Sequence, residues 1–195
     1  MGLLDIFKPK KNPNPNTTNA KSEFDMYVFE LLENNNTQDR NDICKIIFDK
    51  AITLLKQPTQ NNVHRAYDLM GNLASQFEYI PAIMWMGDFV ENVMQNPKQA
   101  VYWYKKAAEL GDGNGARCYA DMLMTGNGTP RNPKLAIEYY SIASDKGIPE
   151  AAFVIGEFLR NSGNRDAALA AYQKAANLGY NMAQIRVDQM LNDQI

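Results

Sequence analysis

The stretch Ala100–Gly111, AVYWYKKAAELG, puts three aromatic side chains, two lysines and an Ala-Ala pair into one helical run. Taken alone it admits three readings: an aromatic box for a ligand, an anchor at a membrane surface, or a piece of scaffold. Its relatives along the chain decide between them. PKQAVYWYKKAAELG (97–111) aligns with PKLAIEYYSIASDKG (133–147) and with RDAALAAYQKAANLG (165–179). Ala100, Ala136 and Ala168 correspond, as do Tyr104, Tyr140 and Tyr172, then Ala107, Ala143 and Ala175, and the closing Gly111, Gly147 and Gly179. The periods are 36 and 32 residues, and a weaker copy, HRAYDLMGNLAS, sets Ala66 34 residues before Ala100. Self-similarity at this period is the signature of a helical solenoid.

Each slot has a physical reason. Small alanines let neighbouring helices approach closely, and the tyrosine fills the space between repeats. A glycine just past the helix takes the left-handed conformation that ends it. Asn96-Pro97 and Asn132-Pro133 each supply a cap and a first-turn proline.

A second helix recurs between these copies, as AIMWMGDFV (from 82), GARCYADML (from 115), AAFVIGEFL (from 151) and AQIRVDQML (from 183). Gly87, Ala120, Gly156 and Asp188 align there, and three of the four are small, as close helix contact demands. The repeat is therefore a helix–turn–helix pair. Apolar spacing is helical nearly throughout from Ser22, with SEFDMYVFELL starting at a serine cap and NDICKIIFDKAITLLKQ starting at Asn41 and stopping before Pro58. No stretch alternates with period two for long enough to make a strand, so the expected class is all-α.

The pattern resembles the Sel-one-like repeat (SLR) family, a relative of the tetratricopeptide repeat. The segments TGNGTPRNPKLAIEYYSIASDKG and KQAVYWYKKAAELG carry that likeness, with the family's Gly-x-Gly loop clear at Gly126 and Gly128. The resemblance covers roughly residues 62–195 and implies a right-handed α/α superhelix, with a role in protein–protein interaction and scaffolding. Residues 22–61 are then an N-terminal helical cap or a degenerate repeat. Asp188 occupies the close-packing slot, so the last helix reads as the terminal cap.

Residues 8–21, KPKKNPNPNTTNAK, hold three prolines and almost no apolar side chain, and residues 1–21 read as a disordered tail. That tail carries four lysines against Asp5, a charge of +3, which leaves −5 on the rest of a chain of net charge −2. Such a balance gives no reason to expect a nucleic-acid partner. The tip GLLDIF is an apolar hook, and GLLDIFKPKK supports an alternative in which the scaffold is tethered peripherally at a membrane. No apolar run is long enough to span a bilayer, and the N-terminus lacks the layout of a signal peptide or a myristoylation motif. The two cysteines, Cys44 and Cys118, show no pairing pattern and read as buried free thiols of a reducing compartment. A cytoplasmic location follows, in a bacterial setting if the resemblance holds.

Function is expected where the chain breaks its own pattern. In the SLR architecture the first helices usually line the concave face. There Trp85, Cys118, Val154 and Arg186 share a slot that is generally polar in the family, and Asp88, Asp121, Glu157 and Gln189 follow three residues later. This predicts a groove with an apolar row beside an acidic row, suited to a protein or peptide with apolar anchors and basic flanks. On the second helices Tyr102 stands where Asp68, Glu138 and Ala170 stand elsewhere, and Ile142 where Asn72, Lys106 and Lys174 stand. They form a candidate outer patch. Catalysis is not expected. His64 is the single histidine and has no ligand partners in sequence, the carboxylates fall on solvated faces, and TGNGTP lacks the Lys-Ser/Thr ending of a phosphate loop. No cofactor or metal site is read, and a cell-wall-acting enzyme subunit is the weakest reading.

Overall fold

Paired helices are what the repeat dictates, and a computed structural model shows them in chain order. It describes residues 24, 26–28 and 39–192. The helices within 39–192 are α1 (Arg40–Leu55), α2 (Gln60–Gln76), α3 (Ile80–Asn92), α4 (Pro97–Glu109), α5 (Gly113–Thr125), α6 (Pro133–Asp145), α7 (Pro149–Asn161), α8 (Arg165–Asn177) and α9 (Asn181–Asn192). The described residues contain no strand. The tail 1–21, its GLLDIF tip and the serine cap at Ser22 lie outside the described residues.

The chain divides into two units, one ending at Asn96 and one beginning at Pro97. In the first, α1 packs on α2 and α2 on α3. Ile47, Ala51, Met70, Leu73 and Ile83 are fully buried there. Phe24 meets Phe77 edge-on at 5.8 Å, and Arg40 donates to the Phe77 carbonyl at 2.8 Å, closing the end of α2. Asp39, not Asn41, caps α1, its carboxylate accepting from the Asn41 amide at 2.7 Å. After α2 and α3 the chain turns through non-glycine residues at positive φ, Glu78 and Gln95.

The second unit is a stack of antiparallel pairs, α4 on α5, α5 on α6, α6 on α7, α7 on α8 and α8 on α9. Ala100, Ala107, Ala136, Ala143, Ala168 and Ala175 are all fully buried, as the slot argument requires. Tyr104, Tyr140 and Tyr172 are buried between them. Gly111, Gly147 and Gly179 each have positive φ at the helix stop. The Asn132 carboxamide accepts from the Leu135 amide at 3.1 Å, and Asn164 repeats the arrangement on Ala167 at 3.3 Å. Gly128 is required twice over: its φ is 73°, and a Cβ there would run into the Pro97 carbonyl.

Candidate functional site

The sequence-predicted site residues fall in both units, Trp85 and Asp88 in the first and the remainder in the second. Trp85 is half-buried on α3, its ring stacked on Phe89 at 4.7 Å with an interplanar angle of 16°. Phe89 in turn meets Tyr67 at 5.6 Å. Asp88 is exposed.

In the second unit the repeat frame places Cys118 and Asp121 on α5, Val154 and Glu157 on α7, and Arg186 on α9. Cys118, Val154 and Arg186 are each half-buried, so Cys118 is not the buried thiol the sequence suggested. The Arg117 guanidinium lies 3.4 Å from the Cys118 sulfur and makes an ion pair with Asp121 at 2.8 Å. This one side chain ties two predicted site residues together.

The carboxylates of this row are not simply solvated. Asp121 accepts a 2.5 Å hydrogen bond from the Tyr140 hydroxyl of the neighbouring α6. Glu157 accepts from the Tyr172 hydroxyl at 2.8 Å, from Arg186 at 2.9 Å and from Arg160 at 2.8 Å. The same device thus recurs in two repeats: a first-helix carboxylate receives the hydroxyl of the next helix's slot tyrosine. Arg186 reaches from α9 back to α7 and also donates to Gln189 at 3.0 Å. The apolar row therefore ends in a cation that pairs with the acidic row. Burial alone would raise the Glu157 carboxyl, but the hydrogen bonds from Arg160, Tyr172 and Arg186 outweigh it and hold it below the ordinary 4.5. Burial, then the bond to Asp121, pushes the Tyr140 hydroxyl well above its ordinary range.

A carboxyl held low in the folded state stabilises the fold fully above its unfolded value of 4.5, and that contribution disappears as pH falls through the lower folded value. The second unit is therefore expected to lose this contribution on acidification through the carboxylate range. Glu157→Gln should flatten the pH slope of stability there by at most about one proton. Trp103 fluorescence, followed in a Trp85→Phe background, measures it.

Tyr102 and Ile142 are exposed, at 56% and 43%, and the Tyr102 ring stands edge-on to Trp103 at 4.9 Å. Sequence reasoning missed Phe158. It occupies the slot of Phe89, Met122 and Met190, which are 8%, 3% and 6% exposed, yet Phe158 is 41% exposed. The slot comparison itself was the available signal, but an apolar residue in an apolar slot raises no flag until its burial is known.

His64 sits inside α2, its Nδ1 2.8 Å from the Gln60 carbonyl. Among the described residues no group of three or more His, Cys, Asp or Glu side chains is arranged to hold a metal. A cleft of about 290 Å³ in the first unit is lined by Arg40, Cys44, Phe77, Glu78 and Tyr79 among others. Burial pushes its Cys44 thiol up, away from the reactive thiolate. Among the described residues no helix is long and apolar enough to cross a membrane.

Paired antiparallel helices stacked on alanine, tyrosine and glycine slots define a helical repeat protein of the SLR and tetratricopeptide kind. The family model for the Sel1 repeat matches residues 82–112, 118–148 and 149–180, so over this span the chain is a Sel1-repeat protein. The boundary between the two structural units falls inside the first matched repeat. An uncharacterized protein of Neisseria meningitidis serogroup B is 28% identical over 110 residues, which are 54% of this chain and 23% of that protein. The chain thus spans about a quarter of that relative. A crystal structure of a Sel1 repeat protein from Oxalobacter formigenes matches with TM-score 0.61 and 27% identity, covering 74% of this chain and 60% of that one. A protective antigen of uropathogenic Escherichia coli with an SLR fold matches with TM-score 0.70 and 21% identity, covering 86% of this chain and 37% of that one, a likeness of fold. Sel1-repeat proteins are in general protein–protein interaction scaffolds, and the fold is typically non-catalytic.

Proposed function

We propose that the chain is a non-enzymatic interaction module that holds a partner protein or peptide on the first-helix face of its repeats. The observation that carries this reading is Phe158. It lies one helical turn beyond the half-buried Val154 and is exposed where its three slot equivalents are buried. An apolar pair at i and i+4 beside fixed polar groups is the form of an anchor site for an apolar side chain of a partner. Trp85, stacked on Phe89, offers a separate aromatic anchor in the first unit.

The arginine pairing alters the expected partner. With Asp121 held by Arg117, and Glu157 by Arg160 and Arg186, the acidic residues of the second unit are charge-compensated and attract a basic flank only weakly. Apolar anchoring is the main term. Both cysteines are free thiols and the relatives are bacterial, which supports a bacterial cytoplasmic adaptor or immunity-type protein as the setting.

The test is quantitative capture of the native partner by the full chain and by Val154→Asp, Phe158→Ala and Trp85→Ala. Binding is expected to weaken at least about tenfold in Val154→Asp and Phe158→Ala, the scale of a lost interface anchor. Folded variants that bind as tightly as the parent overturn the reading. Deleting residues 1–21 separates the membrane-tethered alternative: lost membrane localisation with intact capture would support the tether.

A further inference from the structure

The tripeptide Gly-Asn-Gly occurs twice, at 113–115 and 126–128, in two different settings. An asparagine followed by glycine is able to modify itself. The glycine amide nitrogen is one ring closure from the asparagine Cγ, and no side chain obstructs it. Both asparagines are exposed, so exposure does not tell them apart. The amide that follows each one does. Asn114 stands in the first turn of α5, where the Gly115 amide donates to the Asp112 cap at 2.6 Å. Gly115 is also pressed against α4, since a Cβ there would stand 2.5 Å from the Ala107 Cβ. Attack by that nitrogen would break the cap and unseat the helix. Asn127 instead stands in the loop between α5 and α6. The loop is tied at its two ends, by the Asn127 amide on the Met122 carbonyl at 3.1 Å and the Asn132 amide on the Leu123 carbonyl at 2.8 Å. Between them, among the described residues, the amides of Gly128, Thr129 and Arg131 make no backbone hydrogen bond.

We infer that Asn127 is a self-modification site, converted to isoaspartate in the folded protein, and that the conversion loosens the α5–α6 loop. The Gly128 nitrogen gives its proton to water or hydroxide and attacks the Asn127 Cγ. The bond from Cγ to the side-chain nitrogen breaks, and that nitrogen leaves as ammonia with a proton taken from water. The product is a five-membered succinimide. Water then opens the ring: addition at Cγ gives aspartate, and addition at the backbone carbonyl gives isoaspartate. Water is the sole co-reactant, and no redox change occurs. In the isoaspartyl form the chain runs through Cβ and Cγ, so the backbone before Gly128 is one methylene longer. The loop has no room for that change. Gly128 has φ 73°, and a Cβ on it would stand 2.4 Å from the Pro97 carbonyl. The modification is independent of the partner-binding face, because neither Val154 nor Phe158 takes part in it.

The test incubates the full chain in warm, mildly alkaline buffer, once folded and once in urea. Peptide mapping by mass spectrometry reads each asparagine, and transfer of labelled methyl groups by an isoaspartyl methyltransferase counts the isoaspartate. In the folded chain Asn127 is expected to convert at least about tenfold faster than Asn114, the scale set by breaking a helix cap. In urea the two sites should convert at similar rates, because the cap is gone. Asn127→Gln should abolish most of the methyl transfer to the folded chain, and its exposed position keeps the fold intact. The isoaspartyl form, separated by ion exchange, should unfold at lower urea than an Asn127→Asp chain, which has the charge without the longer backbone. Conversion of Asn127 only in urea, equal rates at the two sites in the folded chain, or an isoaspartyl form as stable as Asn127→Asp overturns the proposal.

Discussion

Tyr172→Ala is expected to destabilise the second unit by about 3–5 kcal/mol, the range for truncating a large buried aromatic side chain. The ring is fully buried and touches the apolar cluster of Ala168, Val187 and Met190, with Phe153 tilted against it at 5.5 Å. Ala168 and Gly156 beside it have no spare atoms to move inward, so Val187, Met190 and Phe153 can fill only part of the space. Tyr172→Phe isolates the hydroxyl. It should cost only about 1 kcal/mol, because Glu157 keeps its bonds from Arg186 and Arg160. Tyr102→Ala, at an exposed position two repeats earlier, should change stability by no more than about 0.5 kcal/mol. Urea unfolding followed by Trp103 fluorescence in a Trp85→Phe background reads all three. A small effect for Tyr172→Ala would mean that the slot tyrosine does not hold the α7–α8 junction.

How much of this was legible in the sequence depends on whether the cause is local. Ala136, Tyr140, Ala143 and Gly147 recur at fixed spacing because every repeat must solve the same packing problem, and the recurrence exposes the solution. Tyr102 was recognisable as exposed for the same reason: its counterparts are mostly polar, and the structure leaves it 56% exposed. The charge state of the candidate face was not legible. Glu157 is neutralised in part by Arg186, 29 residues away in another helix, and no spacing rule foretells that meeting. The Arg117–Asp121 pair, at i and i+4 on one helix, was readable in principle. The tyrosine hydroxyls escaped notice because the slot was read as volume to be filled, while Tyr140 and Tyr172 also deliver a donor to the carboxylate across the interface. Cap placement missed by two residues at α1 because Asp39 and Asn41 are both competent caps, and packing of the helix decides between them.

Gly156→Asp transplants the terminal slot into the middle of the stack and is expected to destabilise the second unit by at least about 4 kcal/mol, combining overpacking with a buried carboxylate. The first carbon of the new side chain would sit 2.6 Å from two atoms of the fully buried Tyr172 ring. The ring is fixed by Phe153 on one side and by its hydroxyl bond to Glu157, so it has no cheap way to move. The carboxylate would then lie against an aromatic face, with the nearby Arg160 and Arg186 already committed to Glu157. Gly156→Ala separates the two contributions, keeping the steric conflict without the charge, and should cost about 1–3 kcal/mol. The reciprocal change, Asp188→Gly, removes an exposed carboxylate bonded only to the exposed Gln184 among the described residues, and should cost at most about 1 kcal/mol from glycine in a helix. Calorimetry on the three variants provides the measurement. Equal losses from Gly156→Asp and Asp188→Gly would show that the two slots experience the same surroundings.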